Sequence, residues 1–171
     1  MGECMIALQL TDLKGFMNTF LKTDTFDHFL LQEAVITGAA TYIIDGHITK
    51  DFYTENELEE LQLTGYPMLP FSMLRGNCFD LIKGKKAPAA FRFVFCLSPE
   101  NLRKTLAAVS SSYTESDLSG VFFNLKFQNQ ILTLTTGISY RIFSTDKSLD
   151  TEWDKLMKRF LNQHQISFEE L

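Results

Sequence analysis

The apolar positions of this chain fall into two recurring rhythms. Residues 5–10, MIALQL, are an apolar run of strand length, and Thr11 then offers an N-cap oxygen. Leu13, Phe16, Met17, Phe20 and Leu21 follow at the i, i+3, i+4, i+7, i+8 spacing of a one-faced helix. HFLLQEAVIT, ATYII and HITKDFY then predict three strands, with a turn at Gly38 and a hairpin signal at Asp45-Gly46. The second half repeats the order. FRFVFCL (91–97) reads as a strand, Ser98 caps a helix with Pro99 at its first position, and Leu102, Leu106 and Val109 form its apolar face. After the polar stretch SSSYTESDLSG, VFFNLKF alternates cleanly, ILTLT returns beyond Gln128-Asn129-Gln130, and ISYRIFS follows Gly137 as a third strand.

Both halves therefore spell strand, helix, strand, strand, strand. Matched positions support a duplication: Leu10 with Leu97, Thr11 with Ser98, Leu13 with Leu102, Lys14 with Arg103, Gly46 with Gly137. Between the halves, Thr54-x-x-Glu57 is a capping box that opens a short acidic helix, and FSMLRGNCFDLIK predicts a second one. Trp153, Leu156, Met157, Phe160 and Leu161 give a C-terminal amphipathic helix. The expected fold is α+β: tandem β-α-β-β-β repeats in an antiparallel sheet with helices on one side. Residues 1–171 are expected to form a single domain, with repeats at 5–53 and 91–146, a helical insert at 54–88 and the last helix at 148–164.

Composition narrows the class. A chain of 171 residues that is 45% hydrophobic, with 16 Phe and only 4 Pro, can bury a core without staples. The formal charge of −5 gives no global positive field to attract nucleic acid or anionic lipid. Cys4, Cys78 and Cys96 are odd in number and lack CxxC spacing, which fits free thiols in a reducing cytoplasm. The longest apolar run is too short for a bilayer, Glu3 stands where a signal peptide wants a base, and Ile6 breaks a myristoylation pattern. A cytoplasmic protein without a membrane association is the expectation.

Catalytic signatures are absent. Gly76, Gly84 and Lys86 miss the spacing of a phosphate-binding Walker loop, and no nucleophile elbow, H-E-x-x-H or G-x-G-x-x-G occurs. Asp27-His28 offers half of an acid–base pair or a surface pair, and the two readings stay open. Cys78 and Cys96 lie in apolar stretches where a thiol behaves as a small hydrophobe. His28, His47 and His164 have no ligand-like spacing, so neither a metal nor a cofactor is expected. Two basic sets remain. Lys14, Lys22, Arg103 and Lys104 lie on matched helices and suit nucleic-acid phosphates; Lys83, Lys85 and Lys86 cluster as a candidate anion site. At the tail, QHQISF reads either as a docking peptide or as chain folded back onto the core.

TFDHFLLQEAVITG, CFDLIKGKKAP, FRFVFCLSPEN and ISYRIFSTDKSLDTEWD together resemble an uncharacterised family of short proteins from anaerobic Gram-positive bacteria, a likeness covering nearly the whole chain. That likeness implies no activity and carries no site residues. The tandem strand–helix–three-strand unit is in turn similar to one domain of the DNA sliding clamps. On that likeness Lys14, Lys22, Arg103 and Lys104 are the helix bases facing DNA. A clamp protomer has two or three such domains, and this chain has room for one. The leading expectation is a non-enzymatic, clamp-like protein that contacts protein or nucleic acid. The alternatives are an enzyme or small-molecule binder using Lys83, Lys85 and Lys86, and an adaptor that self-associates through its sheet edges.

Overall fold

The computed structural model describes residues 4–109 and 113–171, with side chains from Ile6 onward. Part of the expected polar stretch, residues 110–112, and the extreme N-terminus therefore lie outside the described residues. In chain order the elements are β1 (Cys4–Leu10), α1 (Leu13–Lys22), β2 (Leu30–Thr37), β3 (Thr41–Asp45), α2 (Glu55–Glu60) and α3 (Phe71–Ile82). Then come β4 (Ala90–Cys96), α4 (Pro99–Ala108), β5 (Leu118–Gln128), β6 (Ile131–Tyr140), α5 (Ser148–Gln163) and β7 (Phe168–Glu170). The seven strands form one sheet in the order β3-β2-β4-β5-β6-β1-β7, with every neighbouring pair antiparallel. The α+β class expected from the sequence is thus the observed one.

Local signals set most helix starts. The Ser98 hydroxyl accepts from the Asn101 N–H at 3.2 Å, with Pro99 at the first helical position. Thr54 and Glu57 form the reciprocal capping box of α2. At α1 the cap is Asp12, not Thr11: its carboxylate accepts from Gly15 N–H at 3.0 Å. Asp12 stands three residues before that amide, within reach of its short carboxylate, which explains the correction.

Burial follows the alternation. Phe91, Phe93 and Phe95 of β4 and Val121, Phe123, Leu125 and Phe127 of β5 point to one face. Onto that face α1 lays Phe16, Phe20 and Leu21, α3 lays Phe71 and Cys78, and α5 lays Leu149, Trp153, Met157 and Leu161. Phe20 sits at the centre, 5.0 Å from the Phe71 ring and 4.9 Å from that of Phe93. Truncating such a ring to Ala costs about 3–5 kcal/mol. A smaller cluster on the opposite face gathers Leu30, Met68 and Cys96.

The expected third strands do not form. Residues 47–53 make an isolated bridge at His47 and turns. Gly137 lies inside β6, so ILTLT and the start of ISYRIFS are one strand that stops at Tyr140. The physical reason is cross-strand packing: Gly137 faces Phe122, and a Cβ there would come within 2.5 Å of that ring. The two halves also differ in topology. Three strands separate β1 from β2, which run parallel and are joined by α1 crossing over them, whereas β4 and β5 are antiparallel neighbours. The strand order therefore does not place the two halves in equivalent arrangements.

The tail is structural. Ile166 is buried, Phe168 opposite Leu10 begins β7, and Thr11 N–H donates to the Ser167 carbonyl at 3.1 Å. QHQISF thus folds onto the core rather than standing out as a docking peptide.

Candidate functional site

The connection from α3 to β4 passes beside α1, and a groove of about 520 Å³ opens between them. Its floor comes from Leu13, Met17 and Leu21 of α1, Phe79 and Ile82 of α3, and Phe91 and Phe127 of the sheet. The last two rings stack at 5.2 Å between centroids, a pairing made possible because they are cross-strand partners of β4 and β5. Helical periodicity supplies the α1 wall: the residues that miss the deep core, Leu13 and Met17, are half-buried and face the groove.

Charge is confined to the rim. Lys22, the last residue of α1, reaches the same groove as Lys83 and Lys85. Lys83 is braced by Asp80 at 3.1 Å, and its ammonium lies 5.4 Å from the centre of the Phe79 ring. Among the lining residues there is no carboxylate, histidine, thiol or hydroxyl. The groove can therefore bury hydrocarbon and attract negative charge.

The other sequence candidates are dispersed. Lys86 lines a separate cleft with Tyr42 and Gln130. Lys14 is exposed on α1 and outside the groove. On α4, Arg103 pairs with Glu115 at 3.3 Å and Lys104 with Glu100 at 3.2 Å. Asp27 does not work with His28. It is buried and receives both Nε (2.8 Å) and Nη2 (3.2 Å) of Arg75, a two-pronged bridge from α3 to the connection between α1 and β2. His28 instead lines a cleft with Lys104, Arg159 and His164 between α4 and α5. Burial pushes the Cys78 and Cys96 thiols up to about 12, which removes them as nucleophiles.

Sequence reasoning missed a second polar pair. His47 Nδ1 lies 2.6 Å from Asp45 Oδ1, at the lip of a 690 Å³ cleft on the opposite sheet face that also contains Gln32, Cys96 and Glu115. The His47 amide and ring together hold the Asp45 carboxyl below its ordinary value. In the sequence Asp45-Gly46 reads as a hairpin turn, and that reading hides the pair. The grouping of Lys22 with Lys83 and Lys85 was equally hidden, because some sixty residues separate them and only the tertiary fold brings them together.

Fold and groove define an α+β protein with a lysine-rimmed apolar cleft. The chain belongs to the family of unknown function DUF5721, whose model matches residues 19–169. No curated protein and no solved structure matches the chain. Among the described residues no helix is long and apolar enough to cross a membrane.

Proposed function

We propose that this protein is a non-enzymatic binding protein whose ligand is an anionic amphiphile: a hydrocarbon chain ending in a carboxylate or phosphate. The observation that carries this reading is the convergence of Lys22, Lys83 and Lys85 on a floor of Leu13, Met17, Phe79, Phe91 and Phe127. The floor favours hydrocarbon by roughly 25 cal/mol for each Å² removed from water. The rim selects the sign of the head group, and each exposed ammonium adds up to about 1 kcal/mol.

This reading joins one basic residue of the nucleic-acid set to two of the anion set. Arg103 and Lys104 face Glu115 and Glu100 as Lys83 faces Asp80, so what favours the groove over a row of helix bases is the apolar floor beneath its rim. Titration calorimetry with dodecyl phosphate, dodecanol and inorganic phosphate tests it. Dodecyl phosphate is expected to bind at least about tenfold more tightly than either half-ligand, and Lys22→Glu with Lys83→Glu and Lys85→Glu to weaken it by about tenfold or more. Equal binding of inorganic phosphate, or indifference to the charge reversals, would sink it. Salt-dependent binding to duplex DNA that Lys14→Glu with Arg103→Glu abolishes would restore the clamp reading.

A further inference from the structure

The two edges of the sheet are built differently. β7 is three residues long and carries Glu169 and Glu170, the latter held by Lys158 at 2.6 Å. Short, charged edges resist pairing with another chain. β3 is longer, and its one charge, Asp45, stands at its end. Its sequence TYIID contains no Lys and no Pro, and its register with β2 runs without a bulge from Thr37↔Thr41 to Glu33↔Asp45. Ile43 is 67% exposed and Tyr42 50% exposed.

The hydrogen-bond phase shows which backbone groups this edge presents. Gly46 N–H donates to the Gln32 carbonyl at 3.0 Å, and Gly38 N–H donates to the Ala40 carbonyl at 2.9 Å. Between these bonded pairs the ladder alternates, so Ala34 with Ile44 and Ile36 with Tyr42 exchange bonds across β2 and β3. The N–H and C=O groups of Thr41, Ile43 and Asp45 consequently face away from β2, towards open space.

We infer that β3 pairs antiparallel with β3 of a second copy of this chain, about a two-fold axis at Ile43, giving one continuous sheet through both copies. In that register Ile43 meets Ile43 of the second copy, and Thr41 meets Asp45, a hydroxyl opposite a carboxylate. No like charges face each other. Three bonded pairs supply roughly six backbone hydrogen bonds. Tyr42 falls opposite Ile44 of the second copy, beside a 450 Å³ cleft that each copy lines with its own Tyr42 and Ile44 and with Leu74, Asp80 and Leu81 of α3. The arrangement is isologous and closes on itself, so it ends at a dimer.

Sedimentation equilibrium over a concentration series tests the inference on the full chain. Wild type is expected to move from monomer to dimer. Ile43→Lys sets two ammonium groups against each other and is expected to raise the dissociation constant at least tenfold. Ile43→Pro removes an outward N–H that bonds nothing within the chain, so the fold survives, as circular dichroism would verify, while dimerisation is lost. A wild type that stays monomeric to hundreds of micromolar overturns the inference. So does a dimer that both variants leave intact.

Discussion

The indole N–H of Trp153 donates to the main-chain carbonyl of Phe122 at 2.9 Å, tying α5 to β5 across the core. Phe122 in turn lays its ring over Gly137 of β6, so helix, strand and neighbouring strand are fixed at one point. Trp153→Phe removes that donor and the pyrrole half of a buried indole, and at least about 1–2 kcal/mol of stability is expected to go. Urea unfolding followed by circular dichroism measures it, with an unchanged denaturant slope. Since Trp153 is the only tryptophan and is buried, native fluorescence is expected to be blue-shifted and to report on this same contact.

Gly46 and Gly38 separate two uses of glycine. A Cβ on Gly46 would stand 1.7 Å from the Leu31 carbonyl oxygen, a backbone atom that cannot swing aside, whereas one on Gly38 would meet nothing within 4 Å. Gly46→Ala is expected to cost about 3 kcal/mol or more, and Gly38→Ala to stay within about half a kcal/mol of wild type. Thermal melting of the two variants side by side distinguishes them. Comparable melting points would show that the approach of β3 to residue 31 is not constraining.

Asp154 gives the fold a pH dependence of definite sign. Its carboxylate accepts from the Thr136 hydroxyl at 2.7 Å. Burial nevertheless raises its pKa above the ordinary 3.8, with Asp150 and Glu170 adding to the shift and the Thr136 bond and Lys158 opposing it. From 3.8 up to that raised value the folded chain holds a proton the unfolded chain has released, so this group's contribution falls as pH rises through the window. Asp154→Asn accepts the same hydroxyl hydrogen bond without the charge. It is expected to flatten stability against pH over that window and to raise stability at neutral pH; an Asn variant with the wild-type profile would refute this.

The buried thiols predict a chemical silence. With Cys78 and Cys96 pushed from 9.0 to about 12, their thiolate fraction at neutral pH falls by about a thousandfold. In a Cys4→Ser background, labelling by a disulfide reagent is expected to be negligible in the native protein and rapid in denaturant. Fast native labelling would mean that one of the two sites opens readily.

How far the sequence could be read depended on the reach of each signal. Thr54 with Glu57, and Ser98 with Pro99, act within one helical turn, so their helices were legible to within a residue or two. The alternation of Val121, Phe123, Leu125 and Phe127 likewise identified the buried face of β5. Glycine misled because its neighbours across space were unknown: Gly137 lies beneath a ring contributed by β5, and Gly46 permits a close backbone approach after the hairpin has already turned at 38–40. The site was the least legible part. Lys22 and Lys85 become neighbours only when α1 crosses the sheet, and the Arg75–Asp27 bridge spans 48 residues.

That crossing has a further consequence for how the chain reaches its native state. β1 pairs with β6 and β7 and with nothing nearer, so the amide of Ile6 finds the Thr136 hydroxyl 130 residues away. Loop closure over such a distance makes β1 a slow, non-local element. During synthesis residues 4–10 emerge well before β6 and must wait, solvated, until that strand has left the ribosome. A strand made long before its partner is among the last to be seated, and the interval before it docks is when this chain most needs protection from pairing elsewhere.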